Sequence, residues 1–413
     1  MLKNYFKIAI AVLKRRKFFT FISLFGISIT LTILMVGTAF LDQTIRADYP
    51  EAKRDRSLYI SSMQMSNTEK GWINRSSLSI HFLENYASSL KNIEALAIIS
   101  YEKSVNAYVN DKKIELGIRF TNADLWKIMD FKFLEGKPYT STQLKNKDAV
   151  AVISETTKKA YFGDARLVMG KFIKVDNIDY KVIGVVKDVN KLNGNVSGDM
   201  YIPYTLSKQD YSYKDLLGDY NGILLAKDAA GLPELQQQYQ QMVSKVPIEN
   251  KEFDQLVSYA DSFMENLTRS AARTSDAHDN GMRKVLITLG SMVFLFLLLP
   301  TINLVNINMT RIMERASEIG VRKAFGASSA TLVYQFIVEN VILTLLGGIF
   351  GIIFSVLLMY FLNSSDIFPG MALSINPLVL FYSLLICLVF GFLSGVYPAW
   401  RMSRLNIVAA LKA

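Results

Sequence analysis

The sequence predicts an α-helical membrane protein with four transmembrane helices plus a large α/β extracytoplasmic domain inserted between spans 1 and 2. Three observations carry that reading. Residues 18–41, 285–307, 340–362 and 378–400 contain no Asp, Glu, Lys or Arg, and about 20 apolar residues of helix cross a bilayer core. Lys and Arg crowd one side of these stretches. Between the first two lies a polar block of about 240 residues, long enough to bury a core of its own.

Orientation follows from the cations. Lys3, Lys7, Lys14, Arg15, Arg16 and Lys17 precede the first stretch, Arg311, Arg315, Arg322 and Lys323 lie between the second and third, and Arg401, Arg404 and Lys412 follow the fourth. The loop 363–377 has none. By the positive-inside bias both termini and the second-to-third loop are cytoplasmic, so the polar block faces outward. Outside positions 43–283 there are 14 basic and 5 acidic residues, while the block itself is close to balanced. The formal charge of +10 is therefore concentrated where anionic lipid headgroups attract it, and this distribution argues against a nucleic-acid surface.

Residues 1–17 read as a cytoplasmic amphipathic helix, because Leu2, Phe6, Ala9, Ile10 and Leu13 recur at helical spacing with Lys3, Lys7 and Lys14 elsewhere. A cleaved secretory signal is the rival reading, but signal cores run about 7 to 15 apolar residues, shorter than the 18–41 stretch that forms transmembrane helix 1. The block 42–283 reads as an α/β domain with a helical stalk. Alternation over 149–153, 172–175 and 180–186 marks strands; Ser154 caps a helix over 155–161 that Gly163 ends; and 233–243 is helical, with Pro233 in the first turn where its missing N–H matters least.

Residues 253–283 read as a polar helix leading into the second span as a stalk, with Asn280-Gly281 as a candidate break. A matching extension of the first span runs through 45–54, interrupted at Pro50. Transmembrane helix 2 then covers 284–308, a cytoplasmic segment 309–331, transmembrane helix 3 332–362, a short outer loop 363–377, transmembrane helix 4 378–400, and a cytoplasmic tail 401–413.

Catalytic motifs are missing from these 413 residues. Gly136-Lys137 is followed by Pro138, and Gly170-Lys171 by Phe172, so neither makes a phosphate-cradling P-loop. Of the two histidines, His81 shares a helical face with Glu84, which is too few ligands for a metal and reads as a surface pair; His278 reads as a solvated stalk residue. The sole cysteine, Cys387, reads as a packing residue, and with no disulfide the outer domain must rely on its core.

Glu339, at the cytoplasmic start of the third span, reads as an end group facing water or an Arg, and Asn303 and Asn306 sit near the cytoplasmic end of the second. With no acidic or basic residue mid-membrane, a proton- or ion-coupled carrier is disfavoured. Gly347 with Gly351, and Gly391 with Gly395, have the G-x-x-x-G spacing that lets helix backbones approach. Packing within the chain is the first reading of that spacing and a dimer contact the second.

The cytoplasmic segment carries the strongest signal. Glu318-Ile319-Gly320-Val321-Arg322-Lys323-Ala324-Phe325-Gly326-Ala327 closely resembles the segment that MacB/FtsX-like ABC transporter permeases place between their second and third spans. The ending, Tyr397-Pro398-Ala399-Trp400-Arg401 with Ala409-Ala410-Leu411-Lys412, is similar to that family's C-terminus. In the outer block, Leu134-Glu135-Gly136-Lys137, Tyr161-Phe162-Gly163 and the run 182–189 are similar to its periplasmic domain. The resemblance has gaps: Asn406 is followed by Ile407 where the family often has Pro, and 59–121 and 190–252 match no recognised pattern.

This resemblance implies a permease subunit that works as a homodimer or pseudo-dimer with an ABC ATPase subunit at its cytoplasmic face. ATP and Mg would bind the ATPase, and no cofactor this chain. Arg315, Glu318, Ile319, Gly320, Arg322, Lys323, Gly326 and Ala327 would form the ATPase-coupling segment. The family's namesake carries its ATPase fused at the N-terminus, whereas these residues open at the leader helix, so the ATPase is expected on another chain. A periplasmic adaptor and membrane lipid are further implied partners, and the cell inner membrane the implied location. The implied action is mechanotransmission, in which ATP hydrolysis moves the outer domain and drives export or extraction of a substrate from the periplasm or outer leaflet. An FtsX-like regulator of a cell-wall hydrolase is the alternative within the fold, and an ATPase-independent membrane receptor the alternative outside it.

Overall fold

The computed structural model describes residues 10–365, apart from 12, 13, 16, 48, 110, 111, 191–193, 208–213, 273–277, 314–320, 322–324 and 327, together with 373–378, 380–386, 388, 389, 392 and 396. It divides into two compact units: an outer domain, chiefly Ile45–Val285, and a helical unit built from Met1–Thr44, Leu286–Ile367 and Ala372–Ala413. Helix α1 covers Lys17–Ile45.

Among the described residues, fourteen strands of the outer domain join in one sheet. The first six are β1 (Ser57–Ile60), β2 (Met63–Asn67), β3 (Trp72–Leu78), β4 (Ile93–Ser100), β5 (Lys103–Val109) and β6 (Lys112–Thr121). Then come β7 (Phe133–Gly136), β8 (Val150–Ser154), β9 (Phe172–Val175), β10 (Ile178–Val186), β11 (Met200–Pro203), β12 (Leu217–Gly218), β13 (Tyr220–Ala226) and β14 (Gln255–Ser258). Between them run helices α2 (Ile80–Asn85), α3 (Leu125–Ile128), α4 (Ser141–Lys145), α5 (Glu155–Phe162) and α6 (Leu232–Val243), and α7 (Phe263–Ala272) follows the last strand.

Six strands close on themselves. β6 pairs with β11, β11 with β8, β8 with β10, β10 with β9, β9 with β5 at Val175 and Ala107, and β5 with β6. Closure leaves these strands fewer unpaired edges. Alternate residues of the ring, among them Ile118, Ile153, Ile173, Val182 and Ile202, are buried in one apolar cluster. β6 continues the sheet into β4, β13, β3, β2 and β14. On β4 and β13 both faces are covered: Leu96, Ile98 and Leu224 join the cluster just described, and Ala97, Ile99, Ile223 and Leu225 a second one. Helices α2 and α6 join the first cluster through Phe82, Leu83, Leu235 and Tyr239; α3 joins the second, where Trp126 packs edge-on against Tyr139 and Tyr201.

Several sequence expectations reappear at the same positions. The alternating runs are β8, β9 and β10, and α5 starts where Ser154 Oγ accepts from Thr157 N at 3.1 Å and stops at Gly163, whose φ is 62°. Helix α6 has its proline in the first turn.

The stalk expectation is corrected. Residues 253–283 are not one helix: Gln255–Ser258 pairs with β2, satisfying that strand's open edge, and α7 is a separate helix. Its start is set by a reciprocal cap, with Ser262 N donating to Glu265 Oε2 at 2.9 Å and Glu265 N donating to Ser262 Oγ at 3.5 Å. A new helix, α8 (Met282–Met313), begins after Gly281, whose φ of 70° no continuing helix adopts. The first span does not extend to residue 54 either, since α1 ends at Ile45 and only a short 3₁₀ turn, Arg54–Arg56, follows. His278 is exposed, as expected, but it lies in a turn rather than a helix, against the Tyr259 hydroxyl. Nor are His81 and Glu84 a pair, because Tyr204 donates to Glu84 while Asn85 Nδ2 lies 3.0 Å from His81 Nδ1.

In the helical unit α8 leads to α9 (Ser329–Ser364). Among the described residues two helices are long and apolar enough to cross a membrane, Lys17–Ile45 and Val333–Ser364. Helix α8 runs unbroken over the second apolar stretch, and the fourth is helical at 380–386. Residues 1–9 of the leader and Cys387 lie outside the described residues.

Candidate functional site: helix seam and domain roots

Of the coupling residues expected from sequence, Arg315, Glu318, Ile319, Gly320, Arg322, Lys323 and Ala327 lie outside the described residues, as do Gly391 and Gly395. Gly326 is described. It turns the chain at φ 90° beside the exposed Phe325, in the left-handed region where a side chain is strained. Two residues later Ser328 caps α9, its Oγ accepting from Thr331 N at 3.2 Å.

Gly347 and Gly351 lie on the face of α9 that meets α1. A Cβ at Gly347 would sit 2.7 Å from Ile27 Cγ2, and one at Gly351 2.8 Å from Leu31 Cβ. Hydroxyls reinforce the seam, since Ser28 Oγ donates to Gly347 O at 3.1 Å and Thr32 Oγ1 to Gly351 O at 3.2 Å. Both hydroxyls also bond carbonyls four residues back on α1. The cross-helix bonds thus bring side-chain donors to backbone oxygens without exposing a polar group to lipid. Ile27 and Leu31 belong to a buried stripe with Ser23, Met35 and Ala39, at the three- and four-residue spacing of one helical face.

Glu339 does not face water, one of the two environments expected of it. It is 1% exposed and accepts from Gln335 Nε2 at 3.0 Å. The donor lies one turn earlier on the same face, which lets a carboxylate stay inside without reaching solvent.

The outer domain is entered through residues 45–56, and a buried arginine organises that root. Arg54 Nε donates to Glu51 Oε2 at 3.0 Å, and its Nη2 makes a second bond to the same oxygen. The two side chains are only 8% and 1% exposed. Nη1 donates to Ile45 O at 3.0 Å and Arg46 O at 2.8 Å, carbonyls left without intrahelical partners where α1 ends. The guanidinium carbon stands 3.6 Å above the Phe263 ring. Only arginine fits all of this, since its planar fork serves a carboxylate, two carbonyls and an aromatic face together. Glu51 Oε1 in turn accepts from the buried Tyr59 hydroxyl at 3.2 Å; burial and the Glu51 charge raise that hydroxyl's pKa well above its ordinary value.

The chain leaves through residues 278–285, and a second arginine organises that root. Arg269 Nε donates to Asp261 Oδ2 at 2.6 Å, Nη2 to Oδ1 at 3.0 Å, and Nη1 to Asp279 O at 3.2 Å. Its guanidinium carbon lies 4.5 Å from the Tyr259 ring centroid. Lys284 Nζ donates to Ala272 O at 3.1 Å. Burial holds the Asp261 carboxyl above its usual range, with Arg269 pulling the other way. For Glu265 burial also acts upward, but the Ser262 N–H and hydroxyl, Gln236 and Arg269 together keep its pKa below the usual range. The two roots join through backbone: Tyr59 N donates to Asp261 O at 2.7 Å, and Asp261 N to Tyr59 O at 2.9 Å.

Sequence reasoning missed both roots. They unite positions 45–59 with 259–281, a distance no local pattern spans. The one readable signal was Ser262-x-x-Glu265, a capping-box spacing that marks a helix start inside the supposed stalk.

A family profile described as the MacB-like periplasmic core domain matches residues 20–242, and one described as the FtsX-like permease C-terminal matches 290–407. The pyoverdine export ATP-binding/permease protein PvdT of Pseudomonas fluorescens is 28% identical over 313 residues, which are 72% of this chain and 44% of that protein. The uncharacterized ABC transporter permease YknZ of Bacillus subtilis is 24% identical over 342 residues, 80% of this chain and 79% of that one. The chain therefore spans less than half the length of the first of these relatives. Among solved structures, the periplasmic region of MacB from Actinobacillus actinomycetemcomitans matches 54% of this chain and 94% of its own at 17% identity, with a TM-score of 0.37.

Proposed function

Because the chain belongs to the MacB/FtsX-like permeases, we propose that it is the membrane subunit of an ABC transporter that turns ATP hydrolysis on its cytoplasmic side into movement of its outer domain. The observation that carries this reading is the order of the two matches, an outer-domain profile at 20–242 followed by a permease profile at 290–407. In this reading four spans place both termini in the cytoplasm of a cell whose inner membrane holds the protein, and two copies, or this chain and a close relative, make the working pair. ATP and Mg bind an ATPase outside these residues, which we place on a separate chain. Arg315, Glu318, Arg322 and Lys323 dock on it around Gly320, as charged groups that set register across a wet interface. Substrate is exported or extracted from outside the membrane. The lack of any acidic or basic residue mid-span supports that division of labour, because a relay through the bilayer needs such groups.

The test is tagged purification from native membranes of the unaltered protein and of Glu318→Lys and Gly320→Arg, with identification of the co-purifying chains. A P-loop ATPase retained by the unaltered protein and lost from both variants is the expected result. No ATPase under mild extraction, and none on co-expression with neighbouring genes, overturns the reading in favour of a receptor.

A further inference from the structure

We infer that the two arginine ties at the roots of the outer domain act as one lock, so that the entering segment, the leaving segment and strand β1 move as a single body. The purpose of such a lock rests on the mechanotransmission reading, whereas its existence rests on geometry alone. An unbroken series of bonds runs from Ile45 O and Arg46 O through Arg54 to Glu51 and the Tyr59 hydroxyl. It crosses the Tyr59–Asp261 backbone bridge and continues through Arg269 to Asp279 O. Phe263 closes the series a second time, with its ring under Arg54 and edge-on to Tyr59 at a centroid distance of 5.9 Å.

Burial makes this series stiff. An exposed ion pair such as Lys103 with Asp219, 42% and 49% exposed, exchanges its partner for water at little cost. Arg54 and Glu51, 8% and 1% exposed, have little water to exchange with, so separating them costs more. β1 then carries the tie inward, pairing with β13 along its whole length from Ser57 opposite Leu225 to Ile60 opposite Gly222. A domain held at one root would swivel about it. Held at both through one strand, it delivers a displacement of either root to the central sheet.

Hydrogen exchange read by mass spectrometry on the full-length protein in lipid nanodiscs, with no ATPase and no nucleotide, tests the lock. The variants are Arg54→Gln and Arg269→Gln, with Lys103→Gln as the exposed control. Arg54→Gln is expected to speed exchange about tenfold, the factor that about 1.4 kcal/mol of local stability gives, in 45–60 and also across the lock in 278–290. Arg269→Gln is expected to do the reverse, reaching 45–60 from its own side, while β4 and β13 stay protected and the control changes neither root. If Arg54→Gln yields too little folded protein, Arg54→Lys, which keeps the charge and loses the fork, is read in the same way. Acceleration confined to each variant's own segment overturns the proposal. Equal acceleration in β4 and β13 overturns it too, since the arginines would then act on general stability. With no ATPase in the sample, failure here leaves the co-purification result standing, and failure there leaves the lock standing.

Discussion

The guanidinium carbon of Arg54 lies 3.6 Å above the ring of Phe263, and that one contact joins the start of the outer domain to its end. Arg54 meets Glu51, two carbonyls where α1 stops, and an aromatic face. Replacing it with Ala removes the cation from the buried Glu51 carboxylate, which keeps the Tyr59 hydroxyl, a loss of about 3–5 kcal/mol. Thermal unfolding of the full-length protein followed by circular dichroism should show a lower midpoint for Arg54→Ala, and a smaller drop for Arg54→Lys. Equal midpoints for Arg54→Ala and the unaltered protein would count against a buried, engaged pair.

The glycine seam makes a prediction about volume. At Gly351 an added Cβ comes within 2.8 Å of Leu31 Cβ and 3.1 Å of Ser28 O, so Gly351→Leu forces α1 and α9 apart. Overpacking of this kind costs about 1–3 kcal/mol, read as a lower melting point in detergent. Gly290, which has nothing within 4 Å of its Cβ position, is the matched site where the same substitution should be tolerated.

Ser154 supplies a local test. Its Oγ accepts from Thr157 N at 3.1 Å and contacts Thr157 Oγ1 at 3.0 Å while 4% exposed. Ser154→Ala should destabilise the outer domain by about 1 kcal/mol in urea unfolding, and Ser154→Thr, which keeps a hydroxyl that can both accept and donate, by less. The idea fails if the two variants are equally stable.

Acid should loosen the outer domain through Glu135 and Glu265. Burial acts to raise each carboxyl, but Lys158 and the Val168 N–H for the first, and Ser262 and Gln236 for the second, bring them below the usual range. A folded pKa below the unfolded value of about 4.3 means stability that is present above that pH and lost as pH falls through the folded value. Asp261, raised by burial, has the opposite sign. The unfolding midpoint should therefore fall on acidification below about pH 4.3, less steeply in Glu265→Gln. A midpoint that rises over that range would show the sign to be wrong.

Local chemistry was legible in the sequence and long-range chemistry was not. Strand β9 and the first half of β10 alternate because one face meets the ring's core and the other water; α5 could be read from Ser154 and Gly163 because cap and stop lie within the helix's own reach. β4 and β13 escaped notice because both their faces are buried, which erases the alternation that marks a strand. The supposed stalk hid β14 because that strand's partner, β2, lies some 190 positions earlier, and a polar stretch without proline offers no local sign of such pairing. The glycines at 347 and 351 could be seen as a seam, but their partners Ile27 and Leu31 could not. The roots were illegible for the same reason: Glu51 and Arg269 become parts of one site only after the whole outer domain has folded.

The proposed coupling carries ATP hydrolysis on the cytoplasmic side to the outer domain through these roots. Its most direct measurement is hydrogen exchange across 45–60 and 278–290 in the full-length protein co-purified with its ATPase, with and without ATP and Mg. Both segments should change protection together when ATP is bound and return together after hydrolysis. Sustained hydrolysis with both segments unchanged would contradict it.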